Sequence, residues 1–260
     1  MADFQYMSGN AVPASIVTVV GSAIHLKVIP GKKEALPTVV ADPVKVAKVT
    51  NVNAREKANF ITFHLEAVAA GKAKLTAQDA AKAVVGGPID VEVQDQVALP
   101  DAKTDAGLYA RLFLAETPGP DSAGFKLADA KEAMTWMRVV VDNRLKTPSA
   151  VWGSKGATSL TDVIQSKGQF KGFLQYPTIV KQQQDVIDDA VKIANDGGDP
   201  RRARFKEFLD AVLEVANLKS VTDPCATGLY FWRTKGSGKP SDDTKEYMTK
   251  VGNTFYTIKK

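Results

Sequence analysis

Glu116 is the residue of this chain best placed for acid–base chemistry. It closes the apolar run Leu108-Tyr109-Ala110-Arg111-Leu112-Phe113-Leu114-Ala115 and is followed at once by Thr117-Pro118-Gly119-Pro120. The spacing of Leu108, Leu112 and Ala115 predicts a helix over 105–117, with Thr104 or Asp105 as N-cap and Pro118 and Gly119 as its stop. A carboxylate there stands beside the last unpaired carbonyls, at the negative end of the helix dipole, and next to Phe113 and Leu114. Both surroundings disfavour the anion and raise the pKa, as a general acid near neutral pH requires. The other reading is a solvated glutamate at a frayed helix end.

The chemistry left to the chain is narrow. Its 260 residues include two histidines, His25 and His64, and one cysteine, Cys225. Without imidazole nearby in sequence, the last three-quarters argue against His-ligated zinc, Ser-His-Asp triads and Cys-His pairs. A single cysteine excludes an intrachain disulfide and any CxxC motif; lacking a nearby histidine to activate it, Cys225 reads as a small buried residue. His25 and His64 sit at alternating strand positions, so one exposed or hydrogen-bonded imidazole per strand is expected rather than a metal pair. No metal and no cofactor is expected. The balance of 34 Lys+Arg against 29 Asp+Glu, net +5, suits a polyanionic partner but is too weak to argue for nucleic acid.

Two textures position these groups. Residues 13–96 are rich in Val, Ala and Thr, and Ile16–Val20, Ile24–Ile29, Phe60–Leu65 and Ile89–Val93 alternate as half-buried strands. Pro30-Gly31, Asn51-Val52-Asn53 and Gly86-Gly87-Pro88 read as turns between them, which suggests a β-sandwich. After a Pro100-containing linker over 98–104, helical period takes over. Ala130, Ala133, Met134, Met137, Val140 and Val141 predict a helix across 128–145. A third helix stops at Asn195-Asp196-Gly197-Gly198, and Asp199-Pro200 opens a fourth. The first ten residues lack a basic n-region and the run 11–24 is broken by Pro13 and Gly21, so synthesis in the cytoplasm without a conventional signal peptide, and no membrane insertion, is expected.

Three stretches, Ala41-Asp42-Pro43-Val44-Lys45-Val46-Ala47-Lys48-Val49, Ala70-Gly71-Lys72-Ala73-Lys74-Leu75-Thr76-Ala77 and Asp90-Val91-Glu92-Val93, resemble the signature of bacterial immunoglobulin-like modules of type 2. Five later blocks resemble, in family order, the SleB-type cell-wall hydrolases, the spore-cortex lytic enzymes and their relatives. They are Ala110–Glu116; Val139-Val140-Val141-Asp142-Asn143-Arg144-Leu145; Leu160–Phe170; Asp223-Pro224-Cys225-Ala226-Thr227-Gly228-Leu229-Tyr230-Phe231; and Val251-Gly252-Asn253-Thr254-Phe255-Tyr256. The family's second acid after the glutamate is missing, Asp121 to Lys126 is longer than usual, and Cys225 and Thr254 stand where the family has threonine and histidine.

The resemblance implies a two-domain fold class: an N-terminal all-β immunoglobulin-like sandwich over 1–97 and a C-terminal mostly α (α+β) lysozyme or lytic-transglycosylase-like domain over 105–260. It implies a peptidoglycan glycan-strand hydrolase in which Glu116 protonates the bridging oxygen. Either Glu116 alone yields a 1,6-anhydro sugar, or water attacks with a second acid, Asp121 or Asp223. Asn143, Arg144, Gln169, Phe170, Thr227, Tyr230 and Tyr256 are the expected substrate-binding or supporting residues. Action at the wall or periplasm of a target cell would make the chain an antibacterial effector delivered by a secretion machine, with a cognate immunity protein, or a phage endolysin or tail-associated lysin. A non-catalytic wall-binding protein is the remaining alternative.

Overall fold

The computed structural model describes residues 1–32, 34–166 and 170–259. It divides into two compact units, one of Met1–Val97 with Asn195–Arg202 and one of Ala98–Ala194 with Ala203–Lys260.

The first unit holds β1 (Asp3–Tyr6), β2 (Ser15–Val19), β3 (Ala23–Ile29), β4 (Thr38–Asp42), β5 (Ala47–Arg55), β6 (Phe60–Ala67), β7 (Gly71–Gln78) and β8 (Val84–Gln94). They form two four-stranded sheets, β1-β3-β6-β5 and β2-β8-β7-β4. Alternation decides the faces: Leu26 and Val28 of β3, Phe63 and Leu65 of β6, and Leu75 of β7 point into one apolar core. All pairings are antiparallel except β2 on β8. Two of the expected turns are irregularities inside strands instead. Asn51–Asn53 is a register shift within β5, and Gly86–Pro88 lies inside β8 where its pairing with β7 shifts. Gly86 is required there, since a Cβ would overlap the backbone of Ala2.

The second unit begins with α1 (Asp105–Glu116), α2 (Leu127–Lys146), α3 (Leu160–Ile164), α4 (Lys181–Asn195) and α5 (Arg202–Ala216), the end residues of the last two falling in the first unit. Thr104 caps α1, its hydroxyl accepting from Gly107 N at 3.0 Å. Arg138 of α2 closes the far end of α5 by donating to the carbonyls of Val215 at 2.7 Å and Ala216 at 3.0 Å. Its guanidinium lies over the buried Tyr109 ring, whose hydroxyl donates to Asp142 at 2.5 Å. Among the described residues no helix is long and apolar enough to cross a membrane.

The expected combination of a β-sandwich with a mostly α lysozyme-like domain does not hold. The described residues form eleven strands in three sheets, with 27% helix. Helical period ends at Ala216, and from Phe231 onward β9 (Phe231–Thr234), β10 (Thr244–Lys250) and β11 (Asn253–Ile258) make an antiparallel sheet of order β10-β11-β9. The physical reason is the Thr-rich alternation of 244–258, which suits a pleated surface and no helix face. Lys250 pairs with Asn253, leaving Val251-Gly252 as a two-residue hairpin turn with φ of 43° and 74°. Such a turn demands left-handed backbone at both positions, which glycine accepts and a β-branched valine resists. Val251→Asn should therefore raise stability by about 1 kcal/mol, read from urea unfolding midpoints.

Candidate active site

Helix α1 ends at Glu116 because Thr117 turns to extended backbone and returns its N–H to the Phe113 carbonyl at 2.9 Å. Thr117 is buried, with its hydroxyl 3.8 Å from Met137 Sδ of α2. The Glu116 carbonyl, which lacks a helical partner, accepts from Asn253 Nδ2 at 3.1 Å. The same sheet also brings the Trp232 indole N–H to the Glu116 side chain, where it acts to lower the carboxyl's pKa. Trp232 pairs with Phe255 and Thr234 with Asn253, so Trp232 and Asn253 share one face of the sheet. One strand pair thus holds the carbonyl of Glu116 and brings an indole to its carboxyl.

The Glu116 carboxyl lies above its ordinary value near 4.5; loss of hydration on burial raises it and the Trp232 hydrogen bond opposes that rise. Sequence reasoning missed Trp232 and the side chain of Asn253. The alternation of 228–232 was the available signal for the first, but which face of that strand meets α1 is a non-local matter.

Trp232 packs on Phe170, ring centroids 5.2 Å apart. The Arg144 guanidinium lies over Phe170 at 5.3 Å and over Phe231 at 5.0 Å, and its Nε donates to the Tyr230 carbonyl at 2.6 Å. Arg144 is only 3% exposed, and burial pushes its pKa down to about 9, which leaves it charged at neutral pH. Tyr230, half-buried, stacks on Trp152 at 4.3 Å. Its N–H donates to the Tyr256 carbonyl at 3.1 Å, and buried Tyr256 packs with Trp152 and Phe231 while its hydroxyl donates to Gly238 O at 3.2 Å. Arg144, Phe170, Tyr230 and Tyr256 therefore join Glu116 through Trp232 and its strand neighbours.

The remaining candidates hold the loop 223–229 or the surface. Asn143 Nδ2 donates to Asp223 Oδ2 at 2.5 Å and to the Leu229 carbonyl at 3.0 Å. Asp223 also accepts from the backbone N–H groups of Cys225 at 2.8 Å and Leu229 at 3.0 Å. Thr227 Oγ1 lies 2.7 Å from Thr257 Oγ1 and 3.2 Å from the buried Cys225 Sγ. Asp121 is exposed and ion-paired with Arg204. Gln169 lies outside the described residues. Among the described residues, no group of three or more His, Cys, Asp or Glu is placed to hold a metal ion.

No family model and no curated protein matches this chain. Among solved structures, domains 5–6 of the S-layer protein SbsC are similar to it at 19% identity and a TM-score of 0.26, over 36% of this chain and 48% of that one. The similarity thus spans less than half of that chain's length, and at this score it carries no argument about fold or function.

The raised carboxyl has a consequence for stability. The folded chain holds the Glu116 proton more tightly than the unfolded chain does. That contribution is fully present below the ordinary value near 4.5 and is lost as pH rises through the folded value. Glu116→Gln cannot ionise, so it should match wild type at about pH 4 and exceed it in stability at about pH 8. Urea midpoints at the two pH values measure the difference, and an equal effect at both would contradict a raised carboxyl.

Proposed function

We propose that this chain cleaves the glycan strands of peptidoglycan with Glu116 as its general acid. The observation that carries the reading is the state of that carboxyl, which closes helix α1, is partly buried and has its pKa raised by that burial, with the Trp232 indole beside it. The choice of peptidoglycan rests on the resemblance of the five blocks to the SleB-type hydrolases.

In the proposed reaction the Glu116 proton passes to the oxygen bridging N-acetylmuramic acid and the next sugar as that glycosidic bond breaks. The carboxylate left behind takes the proton of the muramoyl C6 hydroxyl while that oxygen closes on C1. The product is a 1,6-anhydro sugar, made with one carboxylate and no water. A hydrolytic route needs a second carboxylate roughly 5–9.5 Å from the first. Both oxygens of Asp223 already accept hydrogen bonds and Asp121 is paired with Arg204, which favours the one-carboxylate route. Half-buried Trp232 and Tyr230, backed by Phe170 and Trp152, offer flat faces for pyranose rings and polar edges for their hydroxyls.

Purified sacculi test this directly. Wild type should release muropeptides whose anhydro ends make them lighter by one water than hydrolytic products, by mass spectrometry. Glu116→Gln should lower the release about 100-fold or more; release unchanged by that substitution would sink the assignment, and no release by wild type would favour a wall-binding role.

Trp232→Phe keeps an aromatic ring but removes the N–H whose hydrogen bond lowers the Glu116 pKa. The acid form should then persist to higher pH, so the alkaline limb of the pH–rate profile should move upward in Trp232→Phe. An unmoved limb would mean that the indole does not tune the acid.

A further inference from the structure

We infer that His25 and His64 form a two-imidazole site for a borderline divalent transition-metal ion, with copper(II) held most tightly. The site lies wholly in the first unit and is independent of the chemistry proposed for Glu116.

The register brings the two histidines together. His25 of β3 stands directly opposite His64 of β6 in an antiparallel pair, on the face that points away from the core formed by Leu26, Phe63 and Leu65. Their ring centroids are 4.7 Å apart and the ring planes cross at 73°. Imidazole nitrogens bind such metals at about 2.0–2.1 Å, so two rings sharing one ion at roughly a right angle have centroids about 4.5–5 Å apart. The observed separation of 4.7 Å falls in that range. His25 is exposed and His64 half-buried, so water can complete the coordination.

A third residue orients one ligand. The register of β5 on β6 shifts between Thr50 and Asn53, and Asn51 there takes left-handed backbone with φ of 52°. The shift aims its side-chain amide at His64 Nδ1, 3.1 Å away. The amide's oxygen and nitrogen are interchangeable by a flip. With the oxygen turned inward it accepts the Nδ1–H, which leaves the Nε2 lone pair for the metal, as outer hydrogen-bond partners of metal-binding histidines commonly do.

The charged neighbours on this face are Lys27, Lys48 and Glu66. Lys48 pairs with Glu66 at 3.0 Å, and Thr50 Oγ1 also donates to Glu66 at 2.5 Å. That pairing limits the repulsion a cation would meet and also withholds Glu66 as a ligand, leaving an all-nitrogen protein set. Imidazole pairs favour copper, nickel and zinc over magnesium and calcium, with copper(II) highest in the usual order.

The test uses the full chain, freed of metal with a chelator and titrated calorimetrically at about pH 7.5, above the ordinary imidazole pKa. Copper(II), nickel(II), zinc(II) and magnesium(II) are added separately. One copper ion per chain should bind, more tightly than nickel or zinc, with no response to magnesium. His25→Asn and His64→Asn should each lower copper affinity about 100-fold, the loss of a chelating partner. Asn51→Ala should lower it about 10-fold. Circular dichroism verifies that these surface variants fold. As a readout that needs no variant, substoichiometric copper(II) should broaden the NMR signals of both imidazoles together. Undiminished binding in either histidine variant, broadening of one ring alone, or no binding by any of the three transition metals would overturn the inference.

Discussion

The grip of the C-terminal sheet on the last residue of α1 is the contact on which the rest of the candidate site depends. A helix ends with carbonyls that have no partner, and an anion beside them is repelled. Asn253 answers the carbonyl of Glu116 and Trp232 answers its carboxyl. One strand pair thereby meets both the backbone and the side chain of the glutamate. Both partners lie on one face of β9 and β11, and the two-residue turn at Val251-Gly252 joins β11 to its other neighbour, β10. A slip of one residue would turn that face away from the helix and remove both contacts at once.

The placement of β9 is in turn the business of α2. Consecutive residues on that helix, Asn143 and Arg144, take hold of consecutive carbonyls, Leu229 and Tyr230, just before the strand begins. Asp223 ties the loop to the same asparagine and to two of its own backbone N–H groups. Burying a guanidinium costs several kcal/mol unless hydrogen bonds and polarizable neighbours offset it. Arg144 has the Tyr230 carbonyl and the faces of Phe170 and Phe231. Its planar, weakly hydrated head suits that setting better than an ammonium would. The chemistry proposed for Glu116 therefore rests on polar groups that touch no reacting atom.

In the first unit a local departure from regular pairing has the comparable role. The two sheets bury their apolar faces in one core, and their outer faces are free to carry polar groups without loss of packing. Across β3 and β6 that freedom leaves two imidazoles opposite each other. The shift in β5 then turns Asn51 toward one of them. Irregular pairing re-aims a side chain that a straight strand would direct elsewhere.

Much of this was legible in the sequence. The alternation of Ile24–Ile29 and Phe60–Leu65, the helical spacing of 105–117 and 128–145, and the stop at Pro118-Gly119 are encoded within a few residues, because steric preference and burial act over one or two turns. The position of Glu116 at a helix end, and the direction of its pKa shift, follow from that local reading. The tertiary structure alone decided which groups meet it. Asn253 lies 137 residues beyond Glu116 in sequence, and no local period states which strand face will arrive at a helix end. The same limit explains the expected turns at 51–53 and 86–88 that became irregularities within strands, and the final sheet where a mostly α domain was expected. It also explains the meeting of His25 and His64, since the periodicity of each strand sets which face its histidine takes and only the pairing register sets what stands opposite.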